Sequence, residues 1–131
     1  MFNNVSDVAG FTIVESASST GVSETGTADT FTVVLDAEPS SNVVITVTSG
    51  DTGEATVDKS SLTFTTGDWD TPQTVTVTGV SDGIVDWTQT FNITMAIDDA
   101  TSDDAFDALA DQTVSVDNSN TDQATVTIAD V

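Results

Sequence analysis

The chain of 131 residues carries 22 acidic residues against a single basic one, Lys59, giving a formal charge of −21. Cys, His, Arg and Tyr are absent. That excludes a disulfide framework and a thiolate metal site, removes the usual general base and any Cys or His nucleophile, and leaves no basic patch for nucleic acid or an anionic membrane. The length suits one domain with a single core, and no apolar run approaches the length of a membrane span. The N-terminus has no basic-then-apolar signal, so Met1 reads as the start of an expressed fragment.

Thr (25 residues) and Val (18) dominate while Leu occurs three times, a composition of strand formers with few helix formers. The expected strands follow in chain order. Phe11–Glu15 is the first. Phe31, Val33 and Leu35 then alternate with Thr30, Thr32 and Val34, and Val43, Ile45 and Val47 alternate with Thr46 and Thr48. Leu62–Phe64 is a short fourth run, and Val75 and Val77 alternate with Thr74, Thr76 and Thr78. Phe91, Ile93 and Met95 alternate with Thr90, Asn92 and Thr94; Val114 and Val116 alternate with Thr113 and Ser115. Period-two alternation with threonine on the wet face is the signature of half-buried antiparallel strands. Turn-rich segments such as 37–42 separate the runs, and the longer connection from Ile97 to Gln112 is expected to hold a short helical turn around Ala105–Ala110. The expected fold is therefore all-β: an Ig-like antiparallel β-sandwich of about seven strands with Greek-key connections.

The two ends of the chain resemble each other. Residues 6–15, Ser-Asp-Val-Ala-Gly-Phe-Thr-Ile-Val-Glu, align with 121–130, Thr-Asp-Gln-Ala-Thr-Val-Thr-Ile-Ala-Asp, at a constant offset of 115. Two β-strands share Thr and Ile easily, so coincidence is one reading. The other is a tandem array: residues 1–10 link from a preceding repeat, 11–122 form the sandwich repeat, and 123–131 begin the next copy.

Eighteen of the acids are Asp and four are Glu. Short carboxylates in turns converge easily on one point, and hard divalent cations take such oxygen cages. With strands alternating up and down, Glu15, Glu24, Asp29, Asp51, Glu54, Asp58, Asp82, Asp86, Asp117 and Asp122 are expected at one end of the sandwich. Asp7, Asp36, Glu38, Asp68, Asp70, Asp98, Asp99, Asp103, Asp104, Asp107 and Asp111 are expected at the other. Asp is also a favoured turn residue, and acidic surfaces solvate without specific sites. No Asp-x-Asp-x-Asp-Gly run ending in Glu is present, which excludes a helix–loop–helix calcium motif. In a tandem array two acid-rich ends would meet, and they would repel unless cations bridged them.

Several stretches carry a family resemblance: Gly10-Phe11-Thr12-Ile13-Val14-Glu15-Ser16, Val22-Ser23-Glu24-Thr25-Gly26, Asp51-Thr52-Gly53-Glu54-Ala55-Thr56-Val57, Ser61-Leu62-Thr63-Phe64-Thr65, Pro72 through Val80, and Asp103-Asp104-Ala105-Phe106. Together they resemble the Calx-beta-like and related Ig-like repeats of large bacterial surface adhesins exported by type I secretion, of the RTX type found in biofilms. The resemblance implies an extracellular extender repeat, stiffened by calcium and flanked by copies of itself, that holds adhesive domains away from the cell. It implies that Glu24 is the family's acid after the first loop, that Asp82 and Asp86 form its acidic fifth loop, and that Asp117 through Asp122 form its exit motif. The candidate calcium ligands are thus Glu24, Asp51, Glu54, Asp82, Asp86, Asp117 and Asp122 at one end, with Asp7, Asp98, Asp99, Asp103 and Asp104 at the other. The chain departs from the pattern where Ser81 precedes Asp82, where Trp87 and Thr88 follow Asp86, and where the exit reads Asp117-Asn118-Ser119-Asn120-Thr121-Asp122. Asn carbonyls coordinate calcium without adding charge, so affinity at this end is expected to be lower.

Extracellular calcium modules bind with Kd on the order of 10⁻⁴–10⁻³ M. A site at about ten times its Kd adds roughly 1.4 kcal/mol, so three or four sites would supply about 4–6 kcal/mol, comparable with the whole stability of a small domain. The competing reading is a glycan-binding adhesive module using Trp69 or Trp87. A glycosidase built on two carboxylates is disfavoured, since nothing marks one pair above the others. The isolated domain is expected to be a monomer that is neither an enzyme nor a binder of nucleic acid or membrane.

Overall fold

The computed structural model describes residues 8–16, 19–81 and 87–119. Nine strands are present among them: β1 Phe11–Glu15, β2 Thr20–Ser23, β3 Ala28–Leu35, β4 Val43–Ser49, β5 Ala55–Val57, β6 Ser61–Phe64, β7 Gln73–Gly79, β8 Gln89–Ile97 and β9 Gln112–Ser119. They form two sheets, one of four strands in the order β1-β3-β7-β5 and one of five in the order β2-β9-β8-β4-β6. All pairings are antiparallel except β2 with β9, which run parallel from Thr20 opposite Val116 to Ser23 opposite Ser119. The fold is an Ig-like β-sandwich, as the alternation indicates.

The core follows from the period of two. Phe31, Val33 and Leu35 of β3 in one sheet and Val43, Ile45 and Val47 of β4 in the other belong to one buried cluster, joined by Phe64, Val75, Val77, Ile93, Met95, Val114 and Val116. The intervening threonines line the outer faces, in pairs such as Thr32 with Thr74, Thr30 with Thr76 and Thr48 with Thr94. Burying a Val, Ile or Phe side chain contributes about 1.5–3 kcal/mol, so this inward set supplies the main drive to fold.

Two strands beyond the expected seven are β2 and β5. The first segment of the chain divides: β1 pairs with β3 in one sheet, and β2 crosses to pair with β9 in the other. Only four residues long, β2 includes Gly21 and has one apolar side chain turned inward, Val22. β5 has three residues and forms because Ala55–Val57 lies against the edge of β7. The expected helical turn is present but shorter and earlier, a 3-10 turn at Asp104–Phe106 that buries Phe106. Residues 123–131 of the expected following repeat lie outside the described residues.

The sheets approach closely where β7 ends. A Cβ on Gly79 would stand 2.0 Å from the Ser23 carbonyl oxygen, so only glycine fits beneath β2. This places the end of β2, the start of β5, the end of β7 and the end of β9 around one point.

Candidate metal-binding ends of the sandwich

At that end the interior stops being apolar. Along β9 the inward face reads Val114, Val116, Asn118, and Asn118 is fully buried. Beside it, Glu24 follows β2 and is 4% exposed, and Glu54 precedes β5 and is 6% exposed. Glu24 is anchored by its backbone N–H, which donates to the Ser119 carbonyl at 3.0 Å. Glu54 is anchored by its N–H to the Asp51 carbonyl (3.0 Å) and by its carbonyl, which accepts from Val80 N–H at 2.9 Å. The Asn118 amide nitrogen donates to Glu54 Oε1 at 2.7 Å and to the Glu54 carbonyl at 2.8 Å, with the Val80 carbonyl at 3.4 Å. The other half of that amide, Oδ1, is buried and meets no hydrogen-bond donor among the described residues.

Burying a carboxylate is costly unless its charge is met. Hydrogen bonds ease that cost, but the one basic side chain in the chain lies elsewhere. Lys59 Nζ pairs with Asp58 at 3.1 Å and donates to the Thr74 carbonyl at 2.7 Å, near the start of β7, whereas Val80 follows its end. Two interior glutamates and an orphaned amide oxygen thus suit a hard divalent cation, which takes carboxylate and carbonyl oxygens. Glu24, Glu54 and Asn118 Oδ1 are the groups that could hold it.

The other candidates at this end stand apart. Asp51 is exposed and closes its own turn, Oδ1 accepting from Gly53 N–H at 3.1 Å. Asp117 lies one residue from Asn118 and so faces the opposite way, exposed on the outer face of β9, where Thr90 Oγ1 donates to it at 2.7 Å. Asp58, expected with this group, lies along the sheet edge, since β5 runs away from this end and the Asp58 carboxylate accepts from Thr76 N–H at 2.8 Å. Glu15 is likewise not terminal; it pairs with Phe31 in the body of β3. Asp82, Asp86, Asp122 and, for the other end, Asp7 lie outside the described residues.

At the opposite end, Asp98, Asp99, Asp103 and Asp104 do share one connection, but they perform different tasks. Asp103 is buried and saturated: Oδ1 accepts from Ala105 N–H at 2.9 Å, and Oδ2 from Ser40 N–H (2.5 Å), Ser40 Oγ (2.7 Å) and Ser41 N–H (3.3 Å). The Ala105 amide, then the hydroxyl and amide of Ser40, hold its carboxyl down to about 2. Asp103 is therefore a structural cap. Asp98 shapes its turn, accepting from Ala100 N–H at 3.3 Å, and Asp99 and Asp104 are exposed. Asp107 is half-buried, and desolvation, followed by the nearby charges of Asp104 and Asp99, pushes its carboxyl above the ordinary value. Among the described residues no three carboxylates are grouped so as to hold a metal ion.

Asn118 enters the sequence reading only as a neutral member of the exit motif, not among the candidate ligands. Its signal was present in the β9 alternation, which puts residue 118 on the same inward face as Val114 and Val116. Of the two tryptophans, Trp69 is half-buried against the core and Trp87 is 89% exposed.

No family model matches the chain, and no curated protein matches it in sequence. Solved structures do share its fold. The chain is similar to the E. coli chaperone DraB, with a TM-score of 0.59 and 8% identity over 85% of this chain and 56% of that one. It is similar to domains 4 and 5 of the S-layer protein SbsC, with a TM-score of 0.51 and 24% identity over 85% of this chain and 46% of that one. It is also similar to the apo form of the Calx CBD1 domain, with a TM-score of 0.51 and 12% identity over 86% of this chain and 98% of that one. At these identities the likeness is one of fold, and the Calx-beta resemblance holds at that level.

Proposed function

We propose that this chain is a calcium-stabilised structural repeat of a large cell-surface protein, an extender that positions adhesive domains rather than a catalyst. The observation that carries the reading is the pair of interior glutamates, Glu24 and Glu54, beside a buried amide oxygen in a chain whose single basic side chain is engaged by Asp58. Carboxylate, amide and main-chain carbonyl oxygens at one end of the sandwich are the ligand types a hard dication takes. The fold likeness to S-layer domains and to Calx CBD1, and the acid-rich composition, are in line with an extracellular setting. Tandem copies at a period of 115 residues and junctions bridged by calcium belong to the same proposal.

The test is thermal unfolding in millimolar calcium and in excess chelator, at matched ionic strength. The expected result is a melting temperature lower by several degrees in chelator, with heat of calcium binding seen by calorimetry. Identical melting curves and no binding heat would remove the proposal.

One observation favours a second reading. Trp87, 89% exposed, presents an indole face suited to stacking on a sugar ring. Quenching or a shift of Trp fluorescence on titration with a glycan panel, abolished in Trp87→Ala, would support an adhesive role for the domain itself.

A further inference from the structure

The oxygen atoms around the Asn118 amide nitrogen are one side-chain carboxylate oxygen and two main-chain carbonyls, at 2.7, 2.8 and 3.4 Å. A carboxylate and main-chain carbonyls converging on one point are the ligand types a calcium ion takes, although ion–oxygen distances would be about 2.3–2.6 Å. Here the point is filled by a nitrogen with two N–H donors. The amide has one workable orientation: reversed, Oδ1 would press against all three oxygens. The consequence is that Oδ1 faces away from them, buried and, among the described residues, without a donor. Through these contacts Asn118, on β9 of one sheet, closes onto Glu54 before β5 and Val80 after β7, both belonging to the other sheet.

We propose that Asn118 is a built-in stand-in for a cation: its amide binds the oxygens of Glu54 and Val80, so this end of the sandwich closes without metal, at the cost of a weaker calcium site. The proposal rests on reading Glu24 and Glu54 as part of a cation site. Aspartate, nearly the same shape, would set another carboxylate against Glu54 and remove both N–H donors. The closure would then require a cation. Asparagine at this one position thus makes the fold tolerant of calcium loss, and leaves a neutral oxygen where a charged ligand would bind more tightly.

The test compares the wild-type chain with Asn118→Asp and Asn118→Ala, melted in chelator and in millimolar calcium, with calcium titrated by calorimetry. Asn118→Asp is expected to melt well below wild type in chelator, to recover at least to the wild-type value in calcium, and to bind calcium at least tenfold more tightly. Asn118→Ala is expected to lose stability in chelator and to recover part of it in calcium, as the ion takes the vacated point. If Asn118→Asp fails to fold in either condition, Asn118→Ala alone decides, and wild-type melting of that variant in chelator overturns the proposal. Equal melting of wild type and Asn118→Asp in chelator, with calcium binding intact, overturns this inference and leaves the cation site standing. No calcium heat from either protein overturns the cation site on which both rest.

Discussion

Asp103 and Ser40 join two connections that are distant in sequence: the Asp103 Oδ2 accepts both the N–H and the hydroxyl of Ser40, at 2.5 and 2.7 Å, across a separation of 63 residues. The carboxylate pins the β3–β4 loop to the β8–β9 connection while its other oxygen caps the 3-10 turn that buries Phe106. Asp103→Ala should cost roughly 1.5–3 kcal/mol at neutral pH, because charge-assisted bonds are lost and the loop amides are left without an acceptor. Asp103→Asn should fall between. Equilibrium urea unfolding of the three proteins checks this.

The same carboxylate sets a pH window. It ionises at about 2 in the folded chain against 3.8 in the reference state, so its contribution is complete above pH 4 and is lost as pH falls towards 2. Asp107 acts with the opposite sign. Desolvation and its acidic neighbours raise its pKa, so its charge opposes folding at neutral pH and that opposition fades as acid protonates it. Asp107→Asn should therefore raise the melting temperature at pH 7 and give a shrinking benefit in acid, whereas Asp103→Asn should lower it at pH 7 with a shrinking penalty below pH 4. Melting temperatures from pH 2 to 8 separate the two.

Glycines at the crossing of β2 over β7 should respond unequally. A Cβ at Gly79 meets the Ser23 backbone at 2.0 Å, and backbone cannot step aside cheaply. Gly79→Ala should cost about 3 kcal/mol or more, within the range for overpacking and strain. Gly21 has nothing within 4 Å of its Cβ position, so Gly21→Ala should change stability by less than about 0.5 kcal/mol. Equal effects at the two positions would contradict the close approach of the sheets.

Screening and site binding by calcium can be told apart. A charge of −21 on one small domain repels itself, so sodium chloride alone should raise the melting temperature. At equal ionic strength calcium should raise it further, and Glu54→Gln should remove most of that extra increment while leaving the sodium response unchanged. Melting curves over a salt series, with and without the substitution, measure both.

Much of the fold was legible because threonine and β-branched residues alternate without interruption. The Thr74–Thr78 run could face only one way, and β3, β4, β8 and β9 follow the same rule. β2 was not legible, since Thr20-Gly21-Val22-Ser23 has no local strand signal; it exists because β9 offers an edge 96 residues later, from Thr20 to its partner Val116. Glu24 and Glu54 entered the candidate set by motif together with solvent-facing acids such as Asp51 and Asp117, because burial at 24 and 54 has no local signature. Asp103 entered the candidate set as part of an acidic cluster, and its capping role was not legible because Ser40 is 63 residues away and invisible to local pattern. Asp117 and Asn118 show how one step along a strand exchanges surface for interior.

The parallel pairing of β2 with β9 also decides how the domain carries load. A pull on the chain upstream of Thr20 and downstream of Ser119 acts along both strands in opposite senses, so the hydrogen bonds between Thr20–Ser23 and Val116–Ser119 are sheared together instead of unzipped singly. Because the load lies along the strand axis, rupture requires the whole four-residue ladder to slip at once. Tension applied across that pair is therefore met as shear along the strands.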